Sequence, residues 1–134
     1  LIPQDYVEDI FLRLDIYNDI SNAKNDYDIN HIVSKLEDVY GPIPDYLKNL
    51  FSLTRVKIEG NRIKADKIKI NKENTVITLN PKSLIDNDKL INHYVLKNKI
   101  KLTDQYNLKY QNISKDNFCE LCEEVISMMK DISD

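Results

Sequence analysis

Cys119-Glu120-Leu121-Cys122 is a C-x-x-C near the start of an expected helix, the arrangement used by thiol–disulfide exchange and, with further ligands, by zinc. Redox chemistry of that kind needs a strand–helix–strand context upstream, whereas the residues before Cys119 read as a hairpin. Helical spacing carries Cys122 into an apolar stripe with Phe118 and Val125 and leaves Cys119 at its margin. Zinc would need four ligands, and only His31 and His93 are left to complete the set. Both fall on the polar sides of separate helices, without ligand spacing. Neither histidine belongs to a nucleophilic triad, no serine lies in a G-x-S-x-G turn, and no glycine-rich loop is present to cradle phosphate. The adjacent carboxylates Glu8-Asp9 and Glu123-Glu124 read as solvated charge on polar helix faces. No catalytic, cofactor-binding or metal-binding residue is assigned.

Arg55, Lys57, Arg62, Lys64, Lys67, Lys69 and Lys72 form a basic stretch of the type that contacts phosphates. Glu59 and Asp66 interrupt it, and no aromatic residues are interleaved as a stacking platform. The last helix is the acidic counterpart, with Glu120, Glu123, Glu124 and Asp131. The net charge of −3 makes the chain no general magnet for nucleic acid or anionic lipid. Among the eight tyrosines, Tyr27 and Tyr46 flank polar loops and suit a protein interface, while most others read as core or rim with the hydroxyl at water.

These side chains must be positioned by elements that 134 residues can supply as one domain, 1–134. Helix one is expected after Asp5, which with Glu8 forms a capping box, and runs to about Ala23 with Val7, Ile10, Phe11, Leu14 and Tyr17 on its apolar face. Helix two follows Asp28 as N-cap, carries Ile29, Ile32, Val33, Leu36, Val39 and Tyr40, and stops at a left-handed Gly41 before Pro42. Helix three starts at Pro44 and buries Leu47, Leu50, Phe51 and Thr54. It ends either at Gly60 as a C-cap or, the preferred reading, near Ile63 with Gly60 at a close contact.

The period then changes to two. Residues 67–70 and 75–79 form a hairpin, a short helix covers 87–97, and 99–102 with 107–110 form a second hairpin. Ser114 caps a last helix that buries Phe118, Leu121, Cys122, Val125, Met129 and Ile132. Three N-terminal helices, two antiparallel hairpins with an intervening helix, and a C-terminal helix make an α+β fold, a small antiparallel sheet covered by helices. No apolar run approaches a membrane span and no secretory signal opens the chain, so a cytoplasmic setting is expected. The chain is expected to begin at a domain boundary.

Three segments together resemble the C-terminal domain of the bacterial transcription-repair coupling factor family. They are Ile2-Pro3-x-Asp5-Tyr6-Val7, Arg13-Leu14-x-x-Tyr17, and Leu36-x-Asp38-x-Tyr40-Gly41-x-Ile43-Pro44. The similarity continues as pattern through the hairpin to Leu108-Lys109-Tyr110. It implies a non-catalytic domain without a cofactor of its own, following an ATP-driven DNA translocase motor. In that family the domain docks on a UvrB-like module, hides the surface that recruits UvrA and restrains the motor until stalled RNA polymerase is engaged.

The resemblance places the docking contact on Glu37, Asp38, Tyr40, Gly41 and Pro44, with Asp38 matching an acid of the family pattern. Lys35 stands where the family carries an acid, Val39 where it carries arginine, and Lys64 where it carries glycine. The implied partners are the UvrB-like module in the same protein and, through the parent, UvrA, RNA polymerase and DNA. The fragment itself is expected to be a monomer with no membrane contact. Two other classes stay open on the residues alone: a nucleic-acid contact module using residues 55–72, and a small redox or metal enzyme using Cys119 and Cys122.

Overall fold

The computed structural model describes residues 2–104 and 106–134. The chain divides into two compact units, residues 1–58 and 59–134.

In the first unit the Asp9 carboxylate accepts the N–H groups of Phe11 at 2.8 Å and Leu12 at 3.4 Å, satisfying donors that a first turn leaves free. Helix α1 therefore spans Ile10–Asn22, one turn later than expected. Asp5 is not the cap, because Tyr6 and Val7 both donate to the Pro3 carbonyl and close a separate turn around it. The buried face also differs from expectation. Ile16 and Ile20 are buried, while Ile10, Phe11 and Leu14 are 56%, 72% and 52% exposed. Apolar residues surround this helix, so their spacing does not single out one face.

Helix α2 spans Asp26–Tyr40. Its N-cap is Asn25, whose side chain accepts the Asp28 N–H at 2.9 Å; Asp28 reaches back to accept the Lys24 N–H at 2.9 Å. Asp28 thus sits inside the first turn rather than ahead of it. Helix α3 covers Asp45–Arg62, and the Pro44 carbonyl accepts the Lys48 N–H, which places Pro44 just before the first helical residue. The core of this unit comprises Ile2, Val7, Ile16, Ile20, Ile29, Leu36, Ile43, Leu47 and Phe51.

In the second unit the longer reading of helix three holds, since the Ile63 N–H still donates to the Glu59 carbonyl at 3.2 Å. Gly60 lies inside the helix because a Cβ there would come within 2.5 Å of the Ile68 terminal methyl. Glu59 is buried and is held by the Arg62 guanidinium at 2.7–3.0 Å; Arg62 also donates to the Ser133 hydroxyl at 2.9 Å. Lys64 then adopts φ +61°, the left-handed conformation that favours glycine after a helix.

Strands β1 (Ala65–Ile70), β2 (Asn74–Leu79), β3 (Ile100–Asp104) and β4 (Asn107–Gln111) form one antiparallel sheet in the order β1-β2-β4-β3. Both expected hairpins are present, and pairing of β2 with β4 joins them. The expected helix over 87–97 is a short α4 (Asn87–Leu90) followed by a π-helical turn, Ile91–Val95. The wider turn departs from a 3.6-residue period, and Ile91 is exposed.

Helix α5 (Phe118–Ile132) is capped by Asn117, not Ser114, and buries Leu121, Cys122, Val125, Met128, Met129 and Ile132. Phe118 lies at the margin, 36% exposed. Ser114 and Ile113 instead donate their N–H groups to Glu124 at 2.7 and 2.8 Å, and the Tyr110 hydroxyl donates to it at 2.6 Å. Glu124 therefore ties β4 and the preceding loop to α5 rather than sitting in water. Among the described residues no helix is long and apolar enough to cross a membrane.

Lys64→Gly is expected to raise stability by roughly 0.5–1 kcal/mol, the relieved left-handed strain less the backbone entropy of glycine. A denaturation midpoint that stays level or falls would show that Lys64 carries no strain. The Glu124 carboxyl titrates below its ordinary range: burial raises it, but the bonds from Tyr110, Ser114 and Ile113 outweigh burial. Its folded value is the depressed one, so its contribution is complete above the ordinary glutamate pKa and is lost as pH falls below it. Glu124→Gln should therefore destabilise at neutral pH, with the deficit closing in acid. Urea midpoints across pH test this, and a deficit independent of pH would contradict it.

Candidate functional site

The exit of α2 is fixed from beneath by the opening segment of the chain. The Tyr6 hydroxyl donates to the carbonyl of Gly41, the C-cap of α2, at 3.0 Å, with the Leu36 carbonyl at 3.4 Å as a weaker second acceptor of the same proton. Burial first, and then the Glu37 carboxylate, push the Tyr6 phenol above its ordinary value, so it stays a donor. Its ring lies 5.6 Å from that of Tyr40. The opening segment is anchored in turn by α1. Arg13 donates to the carbonyls of Val7 and Glu8 at 2.7 and 2.8 Å, and the Ile2 N–H donates to the Tyr17 hydroxyl. The three family-like segments are thus three parts of one hydrogen-bonded frame.

Gly41 has φ +85° and ψ −162°. The positive φ was expected, but the conformation is the extended one that glycine alone fills, not the left-handed helical one. No atom lies within 4 Å of where its Cβ would be, so the backbone and not space demands glycine. Buried Ile43 and half-buried Pro44 then lead into α3.

The five expected contact residues distribute over two recesses and the corner between α2 and α3. Glu37 and Asp38 are exposed and line a shallow depression of about 280 Å³ with Asn30, Val33 and Ser34. Tyr40 is half-buried and faces a different recess, a groove of about 440 Å³ between α1 and α2. Leu12, Ile16, Ile32, Leu36 and Val39 line that groove with it. Gly41 and Pro44 shape the corner between α2 and α3. Periodicity did not reveal the groove because Val39 belongs to the expected apolar stripe of α2 yet is 63% exposed, and Leu12, 44% exposed, lies outside the expected apolar face of α1.

Charge at the exit is unusual. Glu37 and Asp38 occupy the last turn of α2, which has no basic residue there. Carboxylates at that end oppose the helix dipole. No ion pair within the described residues reaches either of them.

The remaining candidates are placed as follows. Cys122 is buried and its thiol is pushed up to about 12, by burial and then by Cys119 and Glu123, which opposes the thiolate that redox chemistry requires. His31 stacks on Tyr27, and His93 pairs with Asp131 at 3.1 Å. Tyr27 is 76% and Tyr46 47% exposed. Tyr6, Tyr17, Tyr94 and Tyr110 instead use their hydroxyls internally. Within the basic stretch, Arg62 is engaged by Glu59, while Arg55 bonds Asn30 at 2.7 Å and lies 4.0 Å from Asp26.

Tyr6→Phe removes the hydroxyl and nothing else. It is expected to cost about 0.5–1.5 kcal/mol and to increase hydrogen exchange at the Gly41 corner. Unchanged stability and unchanged exchange there would show that the frame does not hold the helix exit.

A family model described as the TRCF domain matches residues 1–90. A transcription-repair-coupling factor of Myxococcus xanthus is 32% identical over 90 residues, 67% of this chain and 8% of that protein. The one from Buchnera aphidicola is 26% identical over 133 residues, 98% of this chain and 16% of that protein. The chain thus spans less than a fifth of the length of these relatives. A crystal structure of the C-terminal domain of transcription-repair coupling factor superposes with a TM-score of 0.74 at 17% identity, covering 96% of this chain and 86% of that one. That likeness shows the same α+β fold, and the sequence matches agree with it: the chain belongs to the TRCF domain family, that of the C-terminal domain of bacterial transcription-repair coupling factors.

Proposed function

We propose that the chain is a non-catalytic regulatory domain of an ATP-driven, DNA-translocating transcription-repair coupling factor. In this reading it docks through the exit of α2 on the parent's UvrB-like module, masks UvrA recruitment and restrains the motor. ATP belongs to the motor and not to this domain. The observation that carries the reading is the pair Glu37 and Asp38, exposed, unneutralised by any ion pair among the described residues and set at the helix end the dipole makes negative. A basic surface relieves that placement. The corner that presents it is stiff, with Tyr6 holding Gly41 and prolines at 42 and 44, so little ordering is needed on docking. Exposed ion pairs contribute only about 0–1 kcal/mol each, which suits a clamp that is easily released. Tethering in one chain makes such weak contacts sufficient. Arg55 and Arg62 are engaged by Asn30 and Glu59, which weakens the alternative of a nucleic-acid contact module along residues 55–72.

Asp38→Arg in the full-length parent should leave folding intact, because the side chain is exposed, and should repel a basic partner. UvrA capture and basal ATPase activity should both rise. Equal UvrA binding at equal folded fraction would remove Asp38 from the contact. Deleting residues 1–134 then tests the domain as a whole, and unchanged UvrA binding by that deletion would end the autoinhibitory reading.

A further inference from the structure

The groove between α1 and α2 has an apolar floor and an acidic rim. Ile16, Ile32 and Leu36 line it, Leu12 and Val39 are the exposed apolar residues at its edge, and Asp15, Asp19 and Asp28 add carboxylates. Lys35 is the lysine on its lining. Asp15 and Asp19 stand one turn apart on α1, a like-charge spacing that destabilises a helix. No ion pair among the described residues reaches either one. A recess of about 440 Å³ admits side chains but not a helix backbone. It is therefore suited to receive large aliphatic residues from a partner lying across its mouth.

We propose that the α1–α2 groove is a docking site for the apolar face of a basic amphipathic helix, whose lysines or arginines pair with Asp15 and Asp19. Helix-in-groove recognition uses apolar anchors at helical spacing, and charge on the flanking positions selects the partner. Charge also argues against a second copy as the occupant. Residues 1–58 hold ten Asp and Glu against six Lys and Arg, so two such surfaces repel. The site goes beyond the contact at Asp38, which lines a separate depression on α2.

The test uses the 134-residue chain, labelled for NMR, and two synthetic peptides of about five helical turns. One carries leucine on one face and lysine on the other; the second carries glutamate in place of lysine. The Leu/Lys peptide is expected to bind saturably and to shift amides of Leu12, Asp15, Asp19, Ile32 and Val39. The Leu/Glu peptide should bind roughly tenfold more weakly or worse. Asp15→Lys with Asp19→Lys, both at exposed positions, should lose the Leu/Lys preference by a similar factor while keeping the circular dichroism of the parent chain. Equal binding of the two peptides, no saturable binding, or an unchanged preference in the double variant would overturn the proposal. So would shifts confined to the exposed Ile10, Phe11 and Leu14. Groove shifts that depend on protein concentration without peptide would assign the groove to a second copy and overturn it equally.

Discussion

One hydroxyl group organises the N-terminal unit. Tyr6 lies in the turn that Pro3 closes, and its phenol reaches across to the Gly41 carbonyl at the end of a helix 35 positions later. A helix end without such a donor leaves its last carbonyls to water and frays. Here the opening segment supplies the donor, Arg13 and Tyr17 hold the opening segment, and Gly41 can leave the helix in a conformation closed to other residues. The direction of the chain into α3 follows, and so does the presentation of Glu37 and Asp38. The residues that make the sequence look like its family are therefore the residues that make the corner.

That dependence explains what could be read from the sequence. The segments around Tyr6, Arg13-Leu14, Tyr17 and Gly41 were legible as a resemblance, and the α+β order of elements followed from the change of period after residue 64. The caps were not. Asp9, Asn25 and Asn117 do the capping where Asp5, Asp28 and Ser114 were expected. In a chain so rich in aspartate and asparagine, each helix start offers several chemically equivalent caps, and tertiary contacts select among them. The apolar face of α1 was illegible for a similar reason, because apolar residues lie on every side of it. The two-sided nature of the α2 exit was hidden because adjacent residues on a helix point about 100° apart, so Asp38 and Val39 serve different recesses.

Lys64 shows how a departure from a family pattern becomes a physical statement. The resemblance implies glycine where this chain has lysine, and the backbone there adopts φ +61°. The helix stop is retained while its most comfortable residue is not. Glu59 and Arg62 sit one turn before it, buried carboxylate against guanidinium, and help to hold the end of the helix in place. Removing Arg62 alone would leave the buried Glu59 carboxylate without its cation, whereas Arg62, 48% exposed, would return to water if Glu59 were removed.

The sheet has a consequence of its own. Joining two hairpins through β2 and β4 leaves β1 and β3 as open edges, each offering a row of backbone groups to any passing strand. Lys67 and Lys69 on β1 and Lys101 on β3 are exposed on those edges. Approach of an identical edge would bring like charges together in a setting that must also be desolvated. Lys67 and Lys69, part of the basic stretch that looks like a nucleic-acid footprint in the sequence, thus also place charge of the kind that blunts edge-to-edge pairing, and replacing them to probe DNA contact would also remove that repulsion.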